Sequence, residues 1–116
     1  MADTALFIGW NRAVSGREQA AMELFGESMA LYGRLVGEGK LASFEPVILA
    51  PHGGDLGGFV LLRGSAAQID AFRRTAEYES LMTRANLYLE GIGGIDAWVG
   101  DGVARMMGMY AAAIPK

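Results

Sequence analysis

Cysteine is absent from this chain of 116 residues. Without thiols the protein can form no disulfide, no thiolate metal site and no cysteine nucleophile. Histidine occurs once, and one histidine among scattered carboxylates provides no ligand cluster for zinc. We therefore expect no bound metal. The lack of cysteine is also compatible with a cytoplasmic location, which is the location we expect.

A surplus of positive charge and a long apolar run are missing as well. The ten basic and thirteen acidic side chains give a formal charge of -3, and only Arg73 and Arg74 are adjacent basic residues. A nucleic-acid-binding surface normally concentrates a basic surplus on one face. No apolar stretch approaches the roughly 20 residues that span a bilayer, and no basic segment precedes the first apolar run. We expect neither nucleic acid nor a membrane as a partner.

Apolar side chains are abundant. Hydrophobic residues make up 52% of the chain and charged residues 20%, a composition far from that of disordered chains. A chain of this length buries most of the surface that its unfolded form exposes. No linker-like segment divides it, so we expect one domain over residues 1–116.

Short patterns predict the first part of the chain. Residues 4–10, TALFIGW, form an apolar run typical of a buried strand. Ser15 and Glu18 have the spacing of a capping box, which predicts a helix from about residue 16 to 38. One strip of that helix carries small residues, which would either let another backbone come close or be tolerated on a surface. The members of this glycine strip are Gly26, Ala30, Gly33 and Gly37.

The segment 51–58, PHGGDLGG, joins two predicted strands. Residues 41–51 form a strand that Pro46 places at an edge or a bulge, and residues 57–64 form the next strand. The loop lacks the lysine and the hydroxyl residue of a P-loop, and it leads into a strand rather than a helix. Its glycines therefore indicate a hairpin turn.

The second half of the chain predicts helix, helix, strand and helix. Ser65 and Gln68 form a second capping box, and the apolar residues that follow change face near Thr75. One straight helix cannot turn both faces to one sheet, so we predict helices over 66–74 and 77–88. Residues 91–99 alternate as a fourth strand. Asp101 is placed to cap a last helix, whose scarcity of polar residues predicts a partner subunit against its second side.

The order β-α-β-β-α-(α)-β-α predicts an α+β fold of the ferredoxin-like βαββαβ type. It has an antiparallel four-stranded sheet, a split second helix and an extra C-terminal helix. Helices on one face leave the other sheet face bare, although the strands are apolar at nearly every position. Two such sheets paired face to face in a homodimer would bury it.

This pattern resembles the dimeric α+β barrel superfamily, which includes the YCII-related and the antibiotic-biosynthesis-monooxygenase-like proteins. The resemblance is carried by FIGW before the long helix, by FEPVILAPHGGDLGGFVLLRGS and by AAQIDAFRRTAEYESLMTRA. It covers nearly the whole chain through element order rather than a diagnostic motif, and it is greatest with uncharacterised bacterial members. It implies a homodimer with a cleft between sheet and helices, but no single activity. No residue demands heme or flavin, so we expect no cofactor.

His52 and Asp55 form the only compact acid–base pair that includes a group titrating near neutrality. Three residues apart in a turn, they could hydrogen-bond and face a cleft; alternatively, His52 only stabilises the turn or lies on the surface. A Ser-His-Asp triad is set aside because no serine lies in GxSxG. With Arg12 to orient an anion, the candidate catalytic residues are His52, Asp55 and Arg12.

Aromatic walls with a few convergent polar groups are typical of ligand pockets. Asp96, inside a predicted strand, would need a partner such as an arginine. The alternative is that both tryptophans are core residues and that the charges form a structural network. The candidate ligand-binding residues are Trp10, Arg12, His52, Arg84, Tyr88, Asp96 and Trp98.

Three functions remain open from the sequence. The first is a homodimeric barrel that binds a small molecule in a cleft beside the sheet. The second is a non-catalytic interaction or structural dimer, in which the glycine strip and the last helix build the interface. The third is an enzyme similar to a cofactor-independent oxygenase or an isomerase.

Overall fold

The computed structural model describes residues 3–115, and its elements follow the predicted order. Within the described residues, no helix combines the length and the apolar character needed to cross a bilayer. The elements are β1 (Thr4–Trp10), α1 (Glu18–Gly37), β2 (Ser43–Ile48), β3 (Gly58–Gly64), α2 (Ala66–Arg73), α3 (Ala76–Tyr88), β4 (Gly93–Trp98) and α4 (Asp101–Ala113).

The four strands form one antiparallel sheet in the order β2-β3-β1-β4. β1 lies between β3 and β4, and this strand order is that of the split βαβ arrangement. Leu6 lies opposite Leu62 of β3 on one side and Asp96 of β4 on the other. Pro46 lies in β2, an edge strand, where its missing amide proton does not interrupt a central ladder. The predicted fold class is confirmed.

The core lies between the sheet and the first three helices. Alternate residues of the two central strands, Leu6 and Ile8 with Val60 and Leu62, are at most 2% exposed. They pack against apolar side chains of α1 to α3, among them the fully enclosed Tyr32. Burying one large apolar side chain contributes about 1.5–3 kcal/mol, so this face of the sheet holds the domain together.

The other face of the sheet carries apolar residues that no helix of the described chain covers. Strand side chains alternate between the two faces, so Phe7, Phe59, Leu61 and Ile95 point away from the core. The rings of Phe7 and Phe59 stack with centroids 4.9 Å apart, and Ile95 is 65% exposed. We call this set the open face. Its apolar character agrees with the prediction made from the strand residues.

Two of the four predicted helix starts form as expected. The Ser65 hydroxyl accepts from the Gln68 amide at 3.1 Å, and the Gln68 side chain accepts from the Ser65 amide at 2.9 Å. The break near Thr75 is confirmed, because the Thr75 hydroxyl accepts from the Tyr78 amide at 3.1 Å and begins α3. Each cap satisfies an amide that has no partner within its helix.

The capping box predicted at Ser15 is wrong. Gly16 takes a positive φ of 86° and turns the chain, so α1 begins only at Glu18. The Glu18 carboxylate accepts from the Gly16 amide at 2.9 Å, and no side chain caps the helix. The prediction that Asp101 caps α4 is also wrong. Asp101 is the first helical residue, and Gly100 stands at the N-cap with a φ of 54°.

The last helix projects from the domain. Its packing partner in the chain is chiefly β4, and Gly102 is its one buried residue. A side chain at Gly102 would overlap the carbonyl oxygen of Asp3. The radius of gyration is 15.6 Å, whereas a chain of this length in a compact domain has about 13 Å. The excess reflects a helix that its own domain leaves largely uncovered.

Candidate functional site

The strongest candidate site is a cavity of about 270 Å³ between the sheet and the helices α1 and α3. We call it the cleft. Its volume is near the lower end of the range for small-molecule sites, about 300–1,000 Å³. Ile8 and Val60 form its floor, and Ala21 of α1 and Ala85 of α3 line it from the helices. Alanine at both helix positions leaves room that a larger side chain would fill.

Trp10 is the sequence-predicted ligand residue that lines the cleft. It ends β1, and its ring meets Phe25 of α1 edge-on, with centroids 6.1 Å apart and planes at 72°. This packing explains the glycine at position 58, because a Cβ there would lie 2.9 Å from the indole ring of Trp10. Trp10 and Phe25 thus form an aromatic wall, the kind of surface against which flat apolar ligands pack.

Two hydroxyls lie in the otherwise apolar lining. Ser28 is buried in α1 and donates to the Leu24 carbonyl at 2.7 Å, and its hydroxyl also lies within hydrogen-bonding reach of Tyr32. Tyr32 lies beside it, one turn further along the helix, and is 1% exposed. Burial raises the pKa of the Tyr32 phenol. Tyr32 therefore keeps its proton, and its hydroxyl and that of Ser28 form a hydrogen-bonded polar pair in the lining.

Sequence reasoning missed the role of both hydroxyls. Tyr32 shares the buried face of α1 with Leu24 and Leu35, a position typical of a core residue. Ser28 lies four residues before it, on the same face of the helix. A serine on a buried apolar stripe, one turn from a tyrosine, was the signal that could have indicated a polar spot.

Apolar side chains also surround the opening of the cleft. Met22 of α1 and Ile48 at the end of β2 are among the residues that line it. They are 63% and 67% exposed, although both are large and apolar. We call these two residues the lip.

His52 lies in the hairpin loop and is not among the residues that line the cleft. Its Nδ1 accepts from the Gly54 amide at 3.2 Å, and its Nε2 is 2.7 Å from the Leu56 carbonyl oxygen. In this arrangement Nδ1 acts as an acceptor and Nε2 faces a carbonyl oxygen as a donor. The histidine thus ties the loop to itself, and both ring nitrogens bond to backbone groups rather than to Asp55. A catalytic role for His52 and Asp55 remains a prediction.

The arginine candidates lie in surface ion pairs. Arg12 donates to Glu90 at 2.7 Å, and this hydrogen bond raises the pKa of its guanidinium. Arg84 pairs with Glu27 at 2.8 Å and links α3 to α1. Exposed pairs of this kind contribute little to stability. Tyr88 is half-buried beside the cluster of Leu24, Leu81 and Ala85.

Asp96 and Trp98 line a different cavity, between α2 and β4, with a volume of about 400 Å³. The predicted partner of Asp96 is present, because Arg73 donates to it at 2.9 Å. Asp96 is not a buried charge, however, since its side chain is 63% exposed. Arg74, which also lines this cavity, pairs with Asp70 at 3.1 Å. Because Arg73 and Arg74 are already in ion pairs, this cavity is a weaker candidate for a ligand site than the cleft.

The structure therefore separates the predicted ligand residues. Trp10 lines the cleft, Asp96 and Trp98 lie together elsewhere, and the two arginines serve as surface links. The glycine strip is also open within one chain, because a Cβ at Gly26 or Gly37 would have no neighbour within 4 Å. A role for the strip in an interface stays a prediction.

No family model and no curated protein matches the sequence, but solved structures match the fold. A dimeric ferredoxin-like protein of unknown function from Bacteroides fragilis has a TM-score of 0.58 at 10% identity, over 83% of this chain and 96% of that one. A protein of unknown function from Nitrosomonas europaea has a TM-score of 0.62 at 18% identity, over 85% and 90% of the two chains.

The chain has a ferredoxin-like fold. A third structure with this likeness is SnoaB, a cofactor-independent oxygenase from Streptomyces nogalater. Its TM-score is 0.51 at 11% identity, over 85% of this chain and 93% of that one. Because ferredoxin-like folds host many functions, and because these identities are low, the likeness establishes the architecture and leaves the function to the site.

Proposed function

We propose that the protein is a homodimer that binds a small, largely apolar molecule in the cleft, with Tyr32 and Ser28 orienting one polar group of that molecule. The observation that carries this proposal is the composition of the cleft. An aromatic wall and aliphatic side chains enclose two adjacent hydroxyls. Few polar groups in an apolar cavity provide orientation while apolar burial provides affinity.

The open face supports the homodimer. Phe7, Phe59 and Leu61 expose apolar surface that water contacts in a single chain, and such surface is normally covered. Pairing two copies face to face would bury it in a symmetric interface and form an α+β barrel. The Bacteroides fragilis protein of the same fold is described as dimeric. A closer relationship to the YCII-related or antibiotic-biosynthesis-monooxygenase-like proteins belongs to this proposal as well.

The cleft favours binding over catalysis. None of the described residues that line it is charged, and Tyr32 is its one titratable side chain. A general base must reach the proton that it removes and must be deprotonated near the working pH. Burial raises the pKa of Tyr32 and keeps it protonated, so Tyr32 acts as a donor rather than a base. His52, Asp55 and Arg12 lie outside the cleft lining.

The SnoaB likeness keeps the oxygenase as a second candidate. This candidate predicts oxygen uptake when a phenolic substrate is added, and the uptake should fall when Tyr32→Phe removes the hydroxyl. A purely structural dimer predicts neither oxygen uptake nor binding in the cleft.

The two tryptophans provide a direct test of binding. Trp10 lines the cleft and Trp98 does not, so the two indole N–H signals in a nitrogen–proton NMR spectrum report on different places. Trp10→Phe and Trp98→Phe assign the signals. On titration with 2-naphthol, an aromatic compound with one hydroxyl, the Trp10 signal should move and saturate while the Trp98 signal stays in place. Equal movement of both signals, or of neither, would overturn the proposed site.

A pair of matched variants then locates the occupant. Ala21→Leu fills the cleft, whereas Ala30→Leu places the same side chain on the exposed side of the same helix. The first variant should weaken 2-naphthol binding by about tenfold or more, since it occupies the space that the ligand needs. The second should leave binding unchanged. Tyr32→Phe should weaken binding by a smaller factor, because it removes one hydrogen bond.

A further inference from the structure

The last helix exposes a continuous apolar stripe. Val103, Met107 and Tyr110 recur at four and three residues, which places them on one face of α4, and Ile114 follows four residues later at the C-cap. Their exposures range from 49% to 68%. An isolated helix of 13 residues is marginal in water, so docking of this stripe on another surface would stabilise α4.

The chain's own domain does not supply that surface. α4 starts beside the end of β4, where Trp98 lies opposite Thr4. It is held there by Gly102 against Asp3 and by an ion pair of Arg105 with Asp3 at 3.5 Å. From this anchor the stripe faces solvent.

The lip of the cleft is an exposed apolar surface of matching character. Ile48 pairs with Gly58, and Gly58 pairs with Trp10, so the lip lies at the opposite end of the strands from α4. It also lies at the opposite edge, because β2 and β4 are the two edge strands. The first turn of α4 and the lip therefore lie at diagonally opposite corners of the sheet.

We propose that in the homodimer α4 of each copy lies across the cleft of the other, with its stripe against Met22 and Ile48. This inference rests on the proposed function. A twofold axis that turns one sheet face onto its copy lies in the plane between the sheets. When the axis runs obliquely to the strands, it carries the α4 corner of one copy to the lip corner of its partner.

Two observations favour a second copy over another occupant. The stripe and the lip are both uncovered in the same chain, and a symmetric dimer would bury both surfaces twice. α4 also continues directly from β4, whose Ile95 belongs to the open face. The helix thus leaves the domain at the rim of the proposed interface. Each cleft would be complete only in the dimer, with the partner's helix closing its apolar opening.

The absence of cysteine makes a cross-linking test unambiguous. One sample of the chain carries Met22→Cys, and a second, labelled with nitrogen-15, carries Met107→Cys. After the two are mixed and mildly oxidised, mass spectrometry should find a disulfide between a labelled and an unlabelled chain. Such a bond requires Cβ atoms about 3.5–4.5 Å apart. Ala112→Cys, on the opposite side of α4, is the matched control and should give little of this product.

Equal yields of the mixed disulfide with Met107→Cys and with Ala112→Cys would overturn the inference. So would the absence of this disulfide in a sample that sedimentation shows to be dimeric. Flotation of the protein with neutral phospholipid vesicles, lost in Met107→Glu, would assign the stripe to lipid and overturn it as well.

A second measurement separates this inference from the proposed function. The double variant Met107→Glu, Tyr110→Glu changes two exposed side chains and should fold, which circular dichroism checks. It should bind 2-naphthol about tenfold more weakly, the loss expected when apolar contact at the opening is removed. Unchanged binding in a dimer would refute the role of α4 and leave the proposed function intact. A wild-type chain that is monomeric, or that binds no 2-naphthol, would refute both.

Discussion

Removing the Tyr32 hydroxyl should make the protein less sensitive to alkaline unfolding. Burial raises the pKa of the phenol in the folded chain, whereas an unfolded tyrosine titrates near pH 10. Above that pH the unfolded state releases a proton that the folded state keeps. The stability that Tyr32 contributes is therefore complete below about pH 10 and is lost as the pH rises through the folded pKa.

The magnitude follows from the size of this difference. Each pH unit between the unfolded and the folded pKa is worth about 1.36 kcal/mol. At pH 11.5 the expected loss from this one group is thus about 2 kcal/mol relative to pH 8. Tyr32→Phe, which cannot ionise, should lack this loss. Leu87→Ala removes no ionisable group and lies at a 61% exposed position, so it is the control and should keep the pH dependence of the wild type.

The assay is urea unfolding followed by circular dichroism at pH 8, 10 and 11.5. Protein concentration is held constant because dimerisation would couple to stability. Between pH 8 and pH 11.5 the free energy of unfolding of the wild type should fall by about 2 kcal/mol more than that of Tyr32→Phe. If the two curves stay parallel through pH 11.5, Tyr32 does not ionise on unfolding as burial requires, and its placement in the wall of the cleft is refuted.

Three further predictions concern the loop, the core and the open face. His52→Ala removes two hydrogen bonds from an exposed loop and should cost about 0.5–1 kcal/mol in thermal unfolding; a loss of several kcal/mol would contradict a local role. Leu62→Ala empties a fully buried position and should cost about 2–5 kcal/mol, whereas Leu87→Ala, at a 61% exposed position, should cost little. Ile95→Arg should turn the dimer into monomers in sedimentation equilibrium, with Leu87→Arg as the surface control; a dimer that persists in Ile95→Arg would exclude the open face as the interface.

Local sequence signals predicted much of the fold because they act within four residues. The capping box of Ser65 and the cap at Thr75 each join a side chain to an amide three residues later. Strand β1 has the predicted bounds, 4–10, and the change of apolar face placed the break between α2 and α3. Such contacts depend little on what the rest of the chain does.

Predictions failed where distant segments decide the local conformation. The segment before α1 is held by Val14, whose amide donates to the Tyr88 carbonyl at 2.8 Å. The chain then turns through Gly16, so Ser15 does not cap the helix. The full lining of the cleft could not be predicted for a similar reason. Trp10 was identified as a ligand residue, but its neighbours in the cleft come from β2, β3, α1 and α3, and no spacing along the chain reveals which side chains meet there.

The sequence by itself determined the order of the elements, the apolar character of both sheet faces and the apolar last helix, since periodicity and caps are properties of short segments. Only the tertiary structure decided that Ser28 and Tyr32 line a cavity with Trp10, that His52 bonds to its own loop, and that α4 and the lip lie at opposite corners of the sheet. These are relations between residues far apart in the chain, and packing around a shared core determines them.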